Sequence, residues 1–288
     1  MKKFVSFLAV ILPFLIYSTA LFGQNSHALL WRISGNKLAK PSYLFGTMHL
    51  ICPADYVWTP NMEKCFNEAD KVCFEMDMDD PSVLSEIATG LIDNSGKKLE
   101  DYFTREQYSI VKKYVKDSLG MDIELLQQMK PVVLQTMMSV SGVSCSDAVS
   151  YEDSLIKVAH RTNKEVLGLE EPREQIAVLE SIQTDTVIND LMNTIFHNNH
   201  SDDSDYYKLI TAYRAQDIPA LYSLITASKE LGDMGIFLDS RNQNWIPRMA
   251  AKMSKSCVFF AVGAGHLGGS KGVISLLKKK GYTVTPVI

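Results

Sequence analysis

The chain has 288 residues, of which 46% are hydrophobic, 22% charged and 9% aromatic, a composition that excludes a disordered or fibrous protein and is ample for a buried core. Its formal net charge is −4; removing residues 1–23, with Lys2 and Lys3, leaves 27 basic against 33 acidic residues and a net of −6, which argues against nucleic acid as a partner. The five cysteines show no C-x-x-C spacing, which excludes a zinc finger; most read as small buried side chains, with room for a single disulfide.

In chain order, Lys2 and Lys3 open an apolar run from Phe4 to Phe22 that contains no acidic residue. Residues 1–23 therefore read as a signal peptide, with Ser18 and Ala20, or Gly23, as small residues at a cleavage point. An apolar helix of this length can also serve as an uncleaved anchor, but Pro13, Ser18 and Thr19 favour cleavage. The expectation is an exported protein, periplasmic or extracellular, touching a membrane only through that segment if it is retained.

Next come β-like runs at Leu29 to Ile33 and Tyr43 to Met48, joined by the turn-rich SGNKLAKPS as a hairpin. Thr59 and Pro60 supply a cap and a first-turn proline for a helix carrying Met62, Cys65, Phe66 and Ala69, and the strand Lys71 to Phe74 follows. Thr104 with Gln107 makes a capping box ahead of Ile110, Val111, Tyr114 and Val115. A helix from Leu155 to His160 leads into a short strand, Glu165 to Leu169, and helices resume at Pro172. Near the end lie a strand from Cys257 to Val262, a Gly-Gly loop, a helix with Val273, Leu276 and Leu277, and a strand from Tyr282 to Val287. The chain thus reads as an α+β fold over residues 24–288 in one domain. Its mixed central sheet is built from two similar strand-GxxH-loop-helix-strand units, separated by a large helical insertion.

The segment YLFGTMH (43–49) is echoed by FAVGAGH (260–266). Of six histidines, only His49 and His266 have a glycine three residues earlier, Gly46 and Gly263, and each pair closes an apolar strand. Glycine would supply positive-φ freedom there, letting the imidazole turn over the sheet edge, where ligands and catalytic groups often sit. Glu75 in CFEMD and Glu170 in VLGLE end two other strands. A lone buried carboxylate is costly unless paired or bound to metal, so two histidines and two glutamates at strand ends form a candidate metal centre. Arg241 offers a planar fork to orient a glutamate or hold a developing oxyanion. The His197, His200, Asp202, Asp203 and Asp205 cluster reads as a solvated loop, and Asp77, Asp79 and Asp80 lack the glycine and distal glutamate of a calcium loop.

The combination YLFGTMHL, CFEMD, VLGLEEPREQ, SRNQNW and AVGAGHLGG resembles the TraB/GumN family, which includes the animal Tiki proteins, over residues 29–288. The resemblance implies a metal-dependent hydrolase site in which His49 and His266 are the motif histidines, Glu75 and Glu170 the acidic positions, and Arg241 with Asn242 the arginine-asparagine pair. The expectation is a secreted metal-dependent hydrolase, most readily a peptidase acting on a peptide or protein. His49, His266 and Glu75 would hold a divalent ion (Zn, Mn or Co), and Glu170 with Arg241 would form a supporting pair or bind substrate. Alternatives are a non-catalytic haem- or metal-binding protein, since paired histidines also serve as axial ligands, and a hydrolase of non-peptide esters or amides.

Overall fold

A computed structural model describes residues 27–141, 143, 145–197, 205–227 and 235–288; the expected signal peptide lies outside them. In chain order the elements are β1 (Leu30–Gly35), β2 (Ser42–Thr47), α1 (Pro60–Glu68), β3 (Lys71–Phe74), α2 (Pro81–Gly90), α3 (Arg105–Leu119), α4 (Pro131–Ser141), α5 (Tyr151–Arg161), β4 (Glu165–Gly168), α6 (Pro172–Glu180), α7 (Thr184–His197), α8 (Asp205–Arg214), α9 (Ile218–Ala227), α10 (Arg241–Met253), β5 (Val258–Gly263), α11 (Val273–Lys279) and β6 (Tyr282–Pro286). Each β-like run forms a strand within two residues of its expected ends. Local chemistry accounts for the helix starts. The Thr59 hydroxyl accepts from Met62 N–H ahead of Pro60, and Thr104 and Gln107 exchange hydrogen bonds at the head of α3. No helix among the described residues is long and apolar enough to cross a membrane.

The six strands form one mixed sheet in the order β4-β3-β5-β2-β1-β6. Strands β2, β5, β3 and β4 run parallel to one another, while β1 is antiparallel to both β2 and β6. The two strands of the first unit, β2 and β3, are not neighbours, because β5 lies between them. Its run VFFAVG is apolar on both faces and buried almost throughout, which suits the middle of a parallel sheet better than a flank. The stretch β2–α1–β3 steps over β5, and β5–α11–β6 steps the other way, over β2 and β1.

The sheet's core includes Phe45, Phe66, Phe259 and Trp58, whose rings meet edge-on or tilted. A second apolar cluster, with Val111, Val115, Ile123, Leu134 and Leu191, lies among α3, α4 and α7. Cys52 and Cys145 form a disulfide, and Cys65, Cys73 and Cys257 are free and buried. The disulfide lies beside a two-residue bridge in which the backbones of Ile51 and Val149 exchange hydrogen bonds of 3.0 and 2.9 Å. Together they fasten the loop after β2 to the segment preceding α5.

Gly46, on β2, sits against the turn that follows β5. A Cβ there would come within 3.1 Å of Ala264 Cα, Ala264 Cβ and Leu267 Cδ2. Overpacking of this kind typically costs about 1–3 kcal/mol. Gly46→Ala is therefore expected to lower the unfolding free energy by that much, read as a lower urea midpoint with the slope unchanged. An unchanged midpoint would show that β2 and this turn are not so tightly apposed.

Candidate metal centre

Parallel pairing delivers the candidate residues to one edge. In sheet order β4-β3-β5-β2, Glu170 lies two residues beyond β4, Glu75 directly after β3, His266 in the turn after β5, and His49 two residues after β2. The ends of β3 and β4 are laced together by Glu170 N–H donating to Glu75 C=O at 2.8 Å. From the facing side α10 contributes Arg241, Asn242 and Trp245 on consecutive or i, i+4 positions.

Arg241 joins the two glutamates. Its Nη2 donates to Glu75 Oε2 at 2.6 Å and to Glu170 Oε1, and its Nε lies 3.2 and 3.1 Å from the two Glu170 oxygens. Trp245 Nε1–H donates to Glu170 Oε2 at 3.0 Å, so the acceptor positions of Glu170 are largely taken. Both carboxylates are buried, 8% and 7% exposed. Burial pushes the Glu170 carboxyl up against the pull of Arg241. Burial also acts to raise Glu75, but the charge of His266 in its protonated form and those of Arg241 and His49, with the Gly263 N–H at 2.8 Å, outweigh it and hold Glu75 well below the usual carboxylate range. Two buried carboxylates against one guanidinium leave a negative charge uncompensated within this triad.

The histidines occupy contrasting settings. His266 is buried against Trp245, the two rings tilted by 35° with centroids 4.3 Å apart. Asn242 Nδ2 donates to Lys271 C=O at 3.0 Å, which turns Asn242 Oδ1 toward His266 Nδ1 at 2.7 Å. His266 Nδ1 therefore carries the proton, and Nε2 presents a lone pair toward Arg241 Nη1, 3.3 Å away, and Glu75 Oε1, 3.7 Å away. Burial pushes its pKa down to about 3, leaving the ring neutral. The His49 side chain is 71% exposed, and its Nδ1 lies 3.3 Å from Glu152 Oε1. That hydrogen bond, with the charge of Glu152, holds the pKa of His49 up to about 9. Glu152 is itself held by Thr47 Oγ1–H at 2.9 Å and Ser150 Oγ–H at 2.9 Å.

Positive φ does not explain the motif glycines. Gly263 has φ −50° and ψ 133°, and Gly46 is not in the left-handed region either. Their role is space. A Cβ on Gly263 would stand 3.2 Å from Glu75 Oε1, 3.6 Å from His266 Cδ2 and 3.9 Å from His49 Nε2, so the three groups converge on a hollow that only glycine leaves open. Donor atoms sharing a tetrahedral ion with bonds near 2 Å lie about 3.3 Å apart, a few tenths of an ångström less than the 3.7 Å between Glu75 Oε1 and His266 Nε2. The donor types also fit, and each histidine has its far nitrogen tied to a carboxylate or amide oxygen, as ligating histidines commonly do. Among the described residues no three such donors already stand at ligating distance from one point; the Arg241 guanidinium lies against His266 Nε2 and Glu75.

Two contributors escape the sequence reading. Trp245 falls one helical turn after Arg241 within SRNQNW, a spacing that could have marked it. Glu152 resembles any acidic first-turn residue after a serine cap, and no sequence signal separates it from one. The side chains of 197–205 lie outside the described residues. Asp80 caps α2 through Ser82 N–H, and Asp79 meets His160 Nε2 at 2.8 Å.

Paired Gly-x-x-His turns, carboxylates and a buried arginine beyond parallel strand ends make a polar centre of the kind that binds ligands in such sheets. Over residues 29–286 the chain matches the profile of the TraB/PrgY/gumN family, and it belongs to that family. It is similar to the metalloprotease TIKI1 of Danio rerio, 25% identical over a gapped alignment that covers 91% of this chain and 63% of that protein. It is also similar to the metalloprotease TIKI2 of Xenopus tropicalis, 23% identical over 91% of this chain and 60% of that protein. A third relative is the metalloprotease TIKI1 of Homo sapiens, 24% identical over 90% of this chain and 61% of that protein. The chain thus spans less than two thirds of the length of these relatives. No solved structure matches it.

If the Glu152 carboxylate is what holds His49 up, Glu152→Gln removes the charge while keeping the shape. The His49 imidazole, followed by NMR, is then expected to titrate well below the wild-type value of about 9, toward the ordinary histidine range. A titration unmoved by the substitution would break the pairing.

Proposed function

We propose that this protein is a metal-dependent hydrolase that cleaves a peptide or protein substrate, with His49, His266 and Glu75 holding a divalent ion. The observation that carries the proposal is the hollow at Gly263, on which Glu75 Oε1, His266 and His49 Nε2 converge. The metalloprotease names of the relatives support the same reading. When bound, the ion would supply Lewis acidity, lowering the pKa of water and polarising a scissile carbonyl.

The chain's own residues have separable tasks. Glu75, ionised, uses Oε2 to accept from Arg241 and Oε1 to face the hollow, a position suited to a ligand or to taking a proton from water. Glu170, with its oxygens engaged by Arg241 and Trp245, positions Arg241 and does not act as a base. Arg241 Nη1 is left facing His266 and can stabilise negative charge developing beside it. Asn242 fixes the His266 tautomer. His49, exposed where His266 is buried, marks the open side of the hollow from which substrate enters. A haem site draws less support, because Arg241 and Glu75 stand within 3.7 Å of His266 Nε2 and crowd the face that a macrocycle would need. The Cys52–Cys145 disulfide fits an oxidising compartment and hence export.

The test is elemental analysis of protein purified without a histidine tag, paired with hydrolysis of a fluorogenic peptide library. Wild type should carry about one divalent ion per chain and cleave. Glu75→Gln should lose at least about a hundredfold in turnover. Gly263→Ala should lose the ion while keeping a native circular dichroism spectrum. Full metal content and turnover in both variants would overturn the proposal.

A further inference from the structure

The glycines of AGHLGG flank His266, and what meets them is α9. The turn Ala264–His266 is a 3₁₀ helix, followed by Leu267 N–H donating to Ala264 C=O at 3.1 Å. Residues three apart in such a helix lie on one face, so the segment from Ala264 to Gly268 presents three. Ala264 and Leu267 face β2, where a Cβ on Gly46 would come within 3.1 Å of both. His266 faces α10, with Asn242 and Trp245 against its ring. Gly265 and Gly268 face α9. A Cβ on Gly265 would stand 2.9 Å from Ile225 Cδ1, and one on Gly268 would stand 2.5 Å from Tyr222 Cβ and 2.9 Å from Tyr222 Cγ.

Tyr222 and Ile225 are i, i+3 neighbours on one side of α9, and both reach the turn through places that only glycine leaves open. The Tyr222 ring continues along the loop, since a Cβ on Gly269 would stand 2.5 Å from Tyr222 Cζ. Gly269 has φ +80°, in the left-handed region that glycine adopts without strain, and it bends the chain around the ring. Beyond it, Ser275 Oγ–H donates to Gly269 C=O at 2.8 Å and Asn242 Nδ2 to Lys271 C=O at 3.0 Å. With three residues per turn, the three faces stand about 120° apart. Contacts on the β2 and α9 faces therefore fix the rotation of the turn, and the direction of His266 on the third face follows. Asn242 sets the tautomer of a ring whose backbone these contacts place.

Resting on the metal-dependent hydrolase reading above, we propose that Tyr222 is a positioning residue for His266. Its ring, seated on Gly268 and Gly269, sets the rotation of the turn and so aims His266 Nε2 at the hollow. Residues that orient a metal ligand typically cost about ten- to a hundredfold in metal affinity when changed. Tyr222→Ala is accordingly expected to weaken zinc binding by about tenfold or more. Of the Tyr222 atoms nearest the glycines, only the hydroxyl oxygen is missing from phenylalanine, so Tyr222→Phe keeps the seat.

The experiment compares wild type with Tyr222→Ala, Tyr222→Leu and Tyr222→Phe, each as the full chain without a histidine tag and each checked for a native circular dichroism spectrum. The His266 imidazole is followed by NMR without added metal, and zinc affinity is measured by calorimetry. In wild type the Trp245 ring, 4.3 Å from His266, should displace the carbon-bound imidazole protons from ordinary histidine positions. Tyr222→Ala and Tyr222→Leu should return them toward those positions and weaken zinc binding, whereas Tyr222→Phe should match wild type in both. Val115→Ala, in the second apolar cluster, lowers stability away from the turn and should change neither. Unmoved imidazole resonances in Tyr222→Ala, or in Tyr222→Leu if the first does not fold, overturn the proposal. So does an unchanged affinity where wild type binds zinc, a Tyr222→Phe that behaves like Tyr222→Ala, or a Val115→Ala that reproduces the same changes. Resonances that move as expected in a chain that binds no zinc even as wild type tell against the metal-centre reading alone, and Tyr222 remains the residue that places His266.

Discussion

The buried ion triad in which Arg241 is clasped by Glu75 and Glu170 is the interaction on which the centre depends. Each member comes from a different element: Glu75 from the end of β3, Glu170 from beyond β4, and Arg241 from the first turn of α10. Removing one partner would leave a charge stranded in a low-dielectric setting, at a typical cost of about 3–5 kcal/mol, so α10 has a strong energetic reason to dock in a single position. That docking also carries Asn242 to His266 and lays Trp245 against both His266 and Glu170. A triad with more negative than positive charge also sets the local potential that favours a cation at the neighbouring hollow.

The two histidines differ because their surroundings differ. His266 is buried, neutral and locked by an amide whose own orientation is set by the Lys271 carbonyl. His49 is exposed and coupled to a carboxylate. One ring therefore has a lone pair permanently aimed inward, whereas the other can exchange a proton and move. The tie between Cys52 and Cys145, with the Ile51–Val149 bridge, restrains that second ring by fastening its loop to the segment that leads to Glu152. Fold and site meet in these few covalent and hydrogen-bonded links.

The strands and several helix starts were legible in the sequence because they rest on local signals. Apolar β-branched and aromatic runs bounded by turn residues mark the strands, while Thr59-Pro60 and Thr104-x-x-Gln107 mark two helices. Sheet order was not, since the placement of β5 between β2 and β3 depends on which strand can be buried on both faces, a property of the assembled molecule. The grouping of His49, His266, Glu75, Glu170 and Arg241 at one edge could be anticipated from strand ends and resemblance. The reason for the glycines could not, because open space beside Glu75 Oε1 is a three-dimensional fact. Glu152 was illegible for a related reason: 103 residues separate it from His49, and nothing local distinguishes it from a solvent-facing helix acid.

The most direct measurement is an anomalous difference map from crystals soaked in a manganese or zinc salt, collected on either side of the metal's absorption edge. A single strong peak is predicted in the hollow beside Gly263, about 2.0–2.3 Å from Glu75 Oε1 and His266 Nε2, with Arg241 Nη1 drawn away from the imidazole. Anomalous density confined to other surface carboxylates, with Arg241 still bonded to His266 Nε2 and the hollow empty, would contradict a metal centre built from these residues.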